Sequence, residues 1–289
     1  MKTFRINKSI FQSTVVGFAA ILLPVAMLLS GCKVKEPNFP NQGNVTLYVD
    51  WLNIGKGIAV PQNYTVQVGD YSAVLSGTTN TLNNFFMPGR YFACIFNNAD
   101  GIDINAATAT VALTGGMAVP MPGWFFTAAQ DLYVEKDKKH QYTIVMQQQV
   151  RELNLLIEPT GGSSGRIERI EASMNGVASM LDFVKDIYSG PVNVAPEFVK
   201  QADGKWKATV RLLGIIGEEQ ILNLTLFFDG NSPQSVTHVI NIHQALTFFN
   251  NNKTNPLTLH AYVVETPTDE GFTATITGWT EFTEEIDLK

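Results

Sequence analysis

The chain contains little of what most catalytic sites, metal sites and disulfide frameworks are built from. Its 289 residues include two cysteines and four histidines, and only 16% of the residues are charged. Two cysteines allow at most one disulfide, so the fold must be stabilised mainly by packing. The formal net charge is −6, and no basic stripe is present to neutralise phosphates. This balance argues against nucleic acid as a partner.

The few motif matches in the chain do not predict a chemical site. His238 and His243 are five residues apart, which on a strand places them on opposite faces, and no cysteine or carboxylate lies at ligand spacing. Residues 161–165 satisfy the G-x-S-x-G pattern, but a strand rather than a helix is predicted after them. We therefore predict no catalytic residues, no metal site, no cofactor and no enzymatic activity.

The aromatic residues allow two interpretations. Four tryptophans are present, and together they could form a platform on which a sugar stacks: Trp51, Trp124, Trp206 and Trp279. A single tryptophan on a predicted strand is more often part of the core. We therefore favour core positions for these side chains over a ligand platform.

The N-terminus has the layout of a bacterial secretory signal. Three cations and no acid occupy the first ten residues, and an apolar run follows over residues 15–29. The run is too short to cross ~30 Å of hydrocarbon comfortably, and Pro24 interrupts it. A retained membrane helix is therefore the weaker alternative. Removal of residues 1–31 as a signal peptide makes the mature chain more acidic, because it takes those three cations away.

The residues that end this segment, Leu-Ser-Gly-Cys at 29–32, resemble the lipobox of bacterial lipoproteins. The resemblance implies that Cys32 is diacylated and becomes the new N-terminus. Each buried CH₂ contributes ~0.8 kcal/mol, so several acyl chains together hold a protein stably at a membrane. We predict lipidation of Cys32, a tether over residues 32–43, and a body at the surface of the bacterial outer membrane. Cys94 then has no intramolecular partner and is predicted to be a buried core residue.

Beyond the tether, alternating apolar and polar residues predict strands rather than helices. Strands are predicted over residues 45–51, 64–68, 91–96, 108–113, 140–146, 151–158, 166–174, 206–216, 220–228, 257–264 and 272–279. Hairpins are predicted for residues 206–228 and 257–279, and a bulge near Ile167 and Ile170. Only residues 244–250 and 180–188 favour a short helix.

Short strands separated by Gly, Pro and Asn turns favour an all-β fold built of antiparallel sandwiches. A domain boundary near residues 147–150 divides the mature chain into two bodies of ordinary domain size. We therefore predict an N-terminal β-sandwich over residues 44–148 and a C-terminal β-sandwich over residues 149–289.

Several segments of the chain form a familiar combination: Cys32, residues 45–51, Met-Pro-Gly-Arg-Tyr at 87–91 running on to Gly101, residues 150–153 with 170–177, and residues 256–259 with 271–279. Together they resemble the two-domain anchor-subunit family of the type V pili (fimbriae) of Bacteroidetes. Members of this family are lipoproteins built of two transthyretin-like, Greek-key β-sandwiches. The resemblance implies that the chain anchors a fimbria, or caps its base, by exchanging β-strands with fimbrial subunits.

The physical basis of such exchange is β-augmentation, in which main-chain hydrogen bonds give affinity and alternate side chains give specificity. In polymerising subunits of these pili, a protease removes an N-terminal strand. Lys33 and Lys35 but no arginine lie between Cys32 and Trp51, so an arginine-specific cut there is not expected. Two alternatives stay open: a surface glycan-binding lipoprotein, which predicts exposed aromatic side chains on one face, and a lipoprotein that shares only the fold.

Overall fold

The computed structural model describes residues 41–160, 165–230, 234–268 and 271–281. The predicted signal peptide, Cys32 and most of the tether lie outside the described residues. So do four of the five residues of the G-x-S-x-G match. The described residues belong to one compact unit. They are almost entirely β-strand with one four-residue helix, so the predicted all-β class is confirmed.

The strands of the first half run from β1 to β12. They are β1 (Gly43–Asp50), β2 (Asn63–Val68), β3 (Tyr71–Ser76), β4 (Thr79–Phe86), β5 (Gly89–Phe96), β6 (Ile102–Asn105), β7 (Thr108–Val111), β8 (Leu113–Thr114), β9 (Met117–Ala118), β10 (Phe126–Val134), β11 (Lys139–Val145) and β12 (Gln147–Gln148). Two sheets, ordered β11-β1-β4 and β12-β10-β5-β2-β3, enclose the first core.

The described residues of the second half form nine strands and the helix. They are β13 (Arg151–Thr160), β14 (Ile167–Asp182), β15 (Ile187–Val194), β16 (Val199–Lys200), β17 (Trp206–Leu212), β18 (Ile221–Phe228), β19 (Ser235–Asn241), α1 (His243–Leu246), β20 (Leu257–Thr268) and β21 (Gly271–Glu281). One sheet is ordered β16-β17-β13-β20-β21. It packs across the second core against the sheet that contains β18, β14 and β15.

Strands from the first half extend that last sheet. β9 pairs with β15, and β7 pairs with β14, so residues 102–118 join a sheet whose other strands come from the second half. A third apolar cluster lies at this junction and includes Cys94, Phe125, Val150 and Leu181. A division of the chain at residues 148 and 149 stays a prediction, because strands and core residues are shared across that point.

Several local predictions are confirmed. β20 and β21 form the expected hairpin, and the register of β14 against β18 shifts between Ile167 and Arg169, where a bulge was predicted. The short helix also lies where residues 244–250 favour one, although it starts one residue earlier and is shorter.

Two other local predictions are wrong. Residues 180–188 do not form a helix: Leu181 faces Tyr188 and Asp182 faces Ile187 in a β14–β15 hairpin, because β15 supplies the cross-strand hydrogen bonds. β17 and β18 are not a hairpin either. β17 pairs with β13 while β18 pairs with β14, so residues 213–220 cross from one sheet to the other.

Candidate functional site

The first strand after the tether is the central strand of the three-stranded sheet. β1 runs parallel to β11 over seven positions and antiparallel to β4. Its alternation follows the predicted pattern, since Val45, Leu47 and Val49 are buried and point into the first core. β1 is thus an extended segment that fills the slot between β4 and β11 completely.

The start of β1 is held tightly against the turn between β10 and β11. The Asn44 amide donates to Lys138 O at 3.0 Å, and the Asp137 amide donates to Gln42 O at 3.0 Å. At Gly43 any side chain would collide, because a Cβ there would lie 2.4 Å from Val134 Cγ1 and 2.6 Å from Glu135 O. The point at which the tether joins the body is thus a fixed contact.

The outer edge of β11 exposes backbone groups. The Met146 amide donates to Asp50 O, and Lys138 O accepts from Asn44, so the even-numbered residues of this strand direct their backbone groups to β1. In a parallel pair the intervening residues direct theirs to the opposite side. Gln141, Thr143 and Val145 therefore present N–H and C=O groups at an edge on which no described strand pairs.

Two inward side chains of β11 bind the backbone of β10 and of the residue that follows it. Tyr142 Oη accepts from the Tyr133 amide at 2.8 Å and donates to Tyr133 O at 2.5 Å. His140 Nε2 accepts from the Glu135 amide at 2.8 Å. These bonds fix the spacing between β11 and β10, which belong to the two facing sheets of the first sandwich. Sequence alternation placed both residues on a strand but gave no signal for these contacts.

The second half repeats the arrangement and then adds a strand. β13 runs parallel to β20 over eight positions and antiparallel to β17, as β1 does with β11 and β4. Here the outer edge of β20 is covered, because β21 pairs with it over nine positions. The first half has no described counterpart of β21.

The predicted lipidation site, Cys32, lies outside the described residues, so its modification stays a prediction. Cys94 is 8% exposed and unpaired by disulfide, which confirms the predicted core position. Burial, reinforced by the nearby Asp182 charge, raises the pKa of its thiol to about 11. The thiol is therefore protonated at neutral pH and is a poor nucleophile.

The tryptophans do not form a shared platform. Trp51 and Trp206 are buried in the first and second cores, and Trp124 and Trp279 are partly buried against core clusters. Arg211 covers one face of Trp124, with Cζ 4.3 Å from the ring centroid. The predicted core positions are confirmed.

The histidine pair is separated by secondary structure. His238 lies on β19, whereas His243 begins α1, so the two residues do not share a strand as assumed from their spacing. Within the part of the chain that the structure describes, no group of three or more His, Cys, Asp and Glu side chains is placed to hold a metal ion. Nor does any helix in that part have the length and apolarity needed to cross a bilayer.

The chain matches the model of one known protein family. The family model described as Mfa2, fimbrillin-A associated anchor proteins Mfa1 and Mfa2, matches residues 45–285. The chain belongs to this family. Membership confirms the resemblance to fimbrial anchor subunits and identifies the chain as a fimbrial or adhesin-type surface protein. No curated protein matches it by sequence comparison.

Solved structures share the fold. A candidate adhesin of Bacteroides ovatus ATCC 8483 is 17% identical with a TM-score of 0.56, and the match covers 84% of this chain and 96% of that one. A second candidate adhesin from Bacteroides ovatus is 9% identical with a TM-score of 0.58, covering 88% and 99%. The fimbrial anchor protein Mfa2 of Porphyromonas gingivalis is 11% identical with a TM-score of 0.53, covering 83% and 100%. At these identities the likeness shows the fold alone.

Proposed function

We propose that the chain is a lipid-anchored subunit at the base of a type V-like fimbria, where it serves as anchor or accessory subunit. In this proposal Cys32 carries the lipid at the outer membrane, and a fimbrial subunit is joined through an added β-strand. Membership of the Mfa2 family supports the association with fimbrial subunits. The observation that carries the mode of association is the uncovered outer edge of β11.

The slot occupied by β1 is the less suitable acceptor in this chain. β1 follows the tether directly, and its buried side chains are a large part of the first core. No arginine lies between Cys32 and Trp51, so an arginine-specific protease would not release the strand. A β1 that stays in place keeps the body joined to its lipid.

The β11 edge offers what an incoming strand requires. Its outward N–H and C=O groups at Gln141, Thr143 and Val145 repeat every second residue, as a strand partner needs. β21 satisfies the equivalent edge of β20 from within the chain. A strand supplied by a fimbrial subunit would do the same for β11, and it would extend the three-stranded sheet without disturbing the core.

A proline substitution tests the edge. Thr143→Pro removes an outward N–H while leaving the bonds between β11 and β1 intact, since those come from even-numbered residues. In cells that assemble the fimbria, we expect Thr143→Pro to reduce the fimbrial polymer recovered with the full-length protein from membranes. The matched control Thr143→Val keeps the N–H and a β-branched side chain, and it should recover the polymer as wild type does.

Equal recovery with Thr143→Pro and wild type would overturn strand addition at β11 but not the association itself. Absence of any fimbrial polymer from wild-type preparations would overturn the association. The lipid is tested separately with Cys32→Ala, which should lose labelled fatty acid and appear in the soluble fraction. Unchanged labelling and membrane fractionation would contradict the proposed anchor.

A further inference from the structure

A positively charged cleft lies at the junction of the two halves. It has a volume of about 270 Å³ and is lined by the loop after β1, by Trp124, by residues of β12, β13 and β17, and by the loop after α1. Its charged side chains are Lys56, Arg211, Lys253 and Glu152. With three cations and one anion the cleft has a net positive charge, whereas the whole chain has a formal charge of −6.

The floor of the cleft is fixed by one buried glutamine. Gln148 Oε1 accepts from the Gly55 amide at 2.8 Å, and its Nε2 donates to Val150 O at 2.8 Å and to Lys253 O at 2.5 Å. A Cβ at Gly55 would lie 2.6 Å from Thr254 O, so the loop that carries Lys56 packs closely on the opposite wall. The walls are thus held in place without a ligand.

The Arg211 guanidinium has more donors than partners. It stacks on Trp124, and its Nη1 donates only a long 3.4 Å bond to Pro122 O. Its Nε is buried and has no hydrogen-bond partner among the described residues. Glu152 is its neighbour across β13 and β17, but the carboxylate accepts instead from Asn154 Nδ2 at 3.1 Å. Such an arginine is suited to a carboxylate, which accepts two parallel N–H bonds from a guanidinium.

The other two cations differ in their surroundings. Lys253 Nζ donates to Gln149 Oε1 at 2.7 Å and lies 5.1 Å from the centre of the Tyr188 ring. Burial lowers the pKa of this lysine to about 8, with the Asp186 carboxylate acting in the opposite direction. Lys56 is exposed at the rim, at the tip of a turn closed by the Ile58 amide donating to Gly55 O. A bound anion would stabilise both charged amines.

A second, polar depression of about 350 Å³ adjoins the first and shares Gln148, Lys253 and Thr254 with it. Its lining contains the Asp186 carboxylate and four exposed amide side chains: Asn53, Gln147, Asn251 and Asn252. An amide group offers both a donor and an acceptor, as does a sugar hydroxyl. The two depressions thus place carboxylate-binding groups beside hydroxyl-binding groups.

We propose that this cleft binds an acidic saccharide, with the sugar carboxylate at Arg211 and Lys56 and neighbouring hydroxyls at the exposed amides. Recognition here depends on charge and hydrogen bonds rather than on stacking, since Arg211 already covers a face of Trp124. The inference does not depend on the fimbrial role, because the cleft and the β11 edge share no residues.

Titration calorimetry of the full chain in detergent micelles, with tri-galacturonic acid as the probe, tests the proposal. We expect binding that weakens with salt, and no binding of the neutral control maltotriose. Arg211→Gln should weaken binding roughly tenfold or more, since a charge-assisted hydrogen bond is lost. Lys56→Glu should weaken it about fivefold, while Lys136→Glu, the same charge change in an exposed distant turn, should leave it unchanged.

Lys56→Glu keeps the test decisive if Arg211→Gln fails to fold, because Lys56 is exposed. Absence of tri-galacturonic acid binding would overturn the proposal, as would equal binding of maltotriose. So would binding that Lys56→Glu and Lys136→Glu weaken alike. A tri-glutamate peptide that binds as tightly as the sugar would overturn the saccharide assignment in favour of an acidic peptide.

Discussion

The two halves of the molecule use the same local arrangement and finish it differently. In each, a buried strand lies between a parallel and an antiparallel neighbour: β1 between β11 and β4, and β13 between β20 and β17. In the second half β21 covers the outer edge of β20, whereas in the first half no described strand covers the outer edge of β11. Both halves therefore bury their core strand in the same way. Among the described residues, only the second half also pairs the outer edge of its parallel strand.

Exposed edges are ready templates for pairing, so natural proteins cover or disfavour them. The second half covers its edge from within the chain. The first half retains outward backbone groups on β11, while His140 and Tyr142 use their side chains to fix the neighbouring backbone of β10. A sandwich with a firm core and one uncovered edge can accept a strand without unfolding.

The largest expected effect is the contrast between proline substitutions at inward and outward positions of β11. Ile144→Pro removes an N–H that bonds to β1 and replaces a fully buried side chain, so it should lower the free energy of unfolding by about 4 kcal/mol or more. Thr143→Pro should cost far less, because its N–H points outward. Urea denaturation of both variants measures the contrast, and equal losses would show that the assignment of inner and outer sides is wrong.

A second comparison probes the two cores. Leu47 on β1 and Leu155 on β13 are both fully buried at the centre of their sheets. Leu47→Ala and Leu155→Ala should each cost about 2–5 kcal/mol through lost burial and a residual cavity. Denaturation of the single and double variants tests whether the losses add, as they do for distant sites. A non-additive double variant would indicate that the two sites are energetically coupled across the junction.

The junction between the halves makes stability depend on pH. Burial raises the pKa of Cys94 from 9.0 to about 11, so the folded state holds the thiol proton more tightly than the unfolded state. The stability that this provides is complete below pH 9 and is lost as the pH rises to about 11. From the size of the shift, the loss is about 2–3 kcal/mol.

Unfolding titrations of wild type and Cys94→Ala between pH 8 and 11 measure this effect as a difference. The tyrosines, which also ionise in this range, then cancel. Cys94→Ala should show the shallower fall in stability with pH. Parallel curves would contradict a buried thiol at the junction, as would rapid alkylation of the native protein at pH 8.

The sequence predicted the strands whose two faces differ in burial. β1, β13 and the β20–β21 hairpin were predicted close to their observed bounds, because alternating side chains face a core. β3 and β4 were missed: Thr79–Phe86 is rich in Thr and Asn, which also favour turns, and its pairing with β1 compensates for that composition. Local alternation cannot reveal such a partner, since β1 and β4 are far apart in the chain.

The candidate site was predicted less well than the fold. Alternation placed Tyr142 on a strand but could not show that β11 lies at an edge, which depends on the whole order of strands. It also placed β17 and β18 in one hairpin, since a Gly-Glu-Glu turn looks the same whether a chain reverses or crosses between sheets. The charged cleft was missed because its residues come from five separate segments.

The smallest expected effect concerns the contact that spaces β11 from β10. Tyr142→Phe removes a hydroxyl that accepts from the Tyr133 amide and donates to its carbonyl. These groups lie near the surface, where water can replace the hydroxyl, so the cost should be about 1–2 kcal/mol. Amide hydrogen exchange adds a local readout, because the Tyr133 amide should lose protection while amides in the second half do not change. Unaltered protection at Tyr133 would mean that another group satisfies this backbone position. The spacing between β11 and β10 would then be set by packing alone.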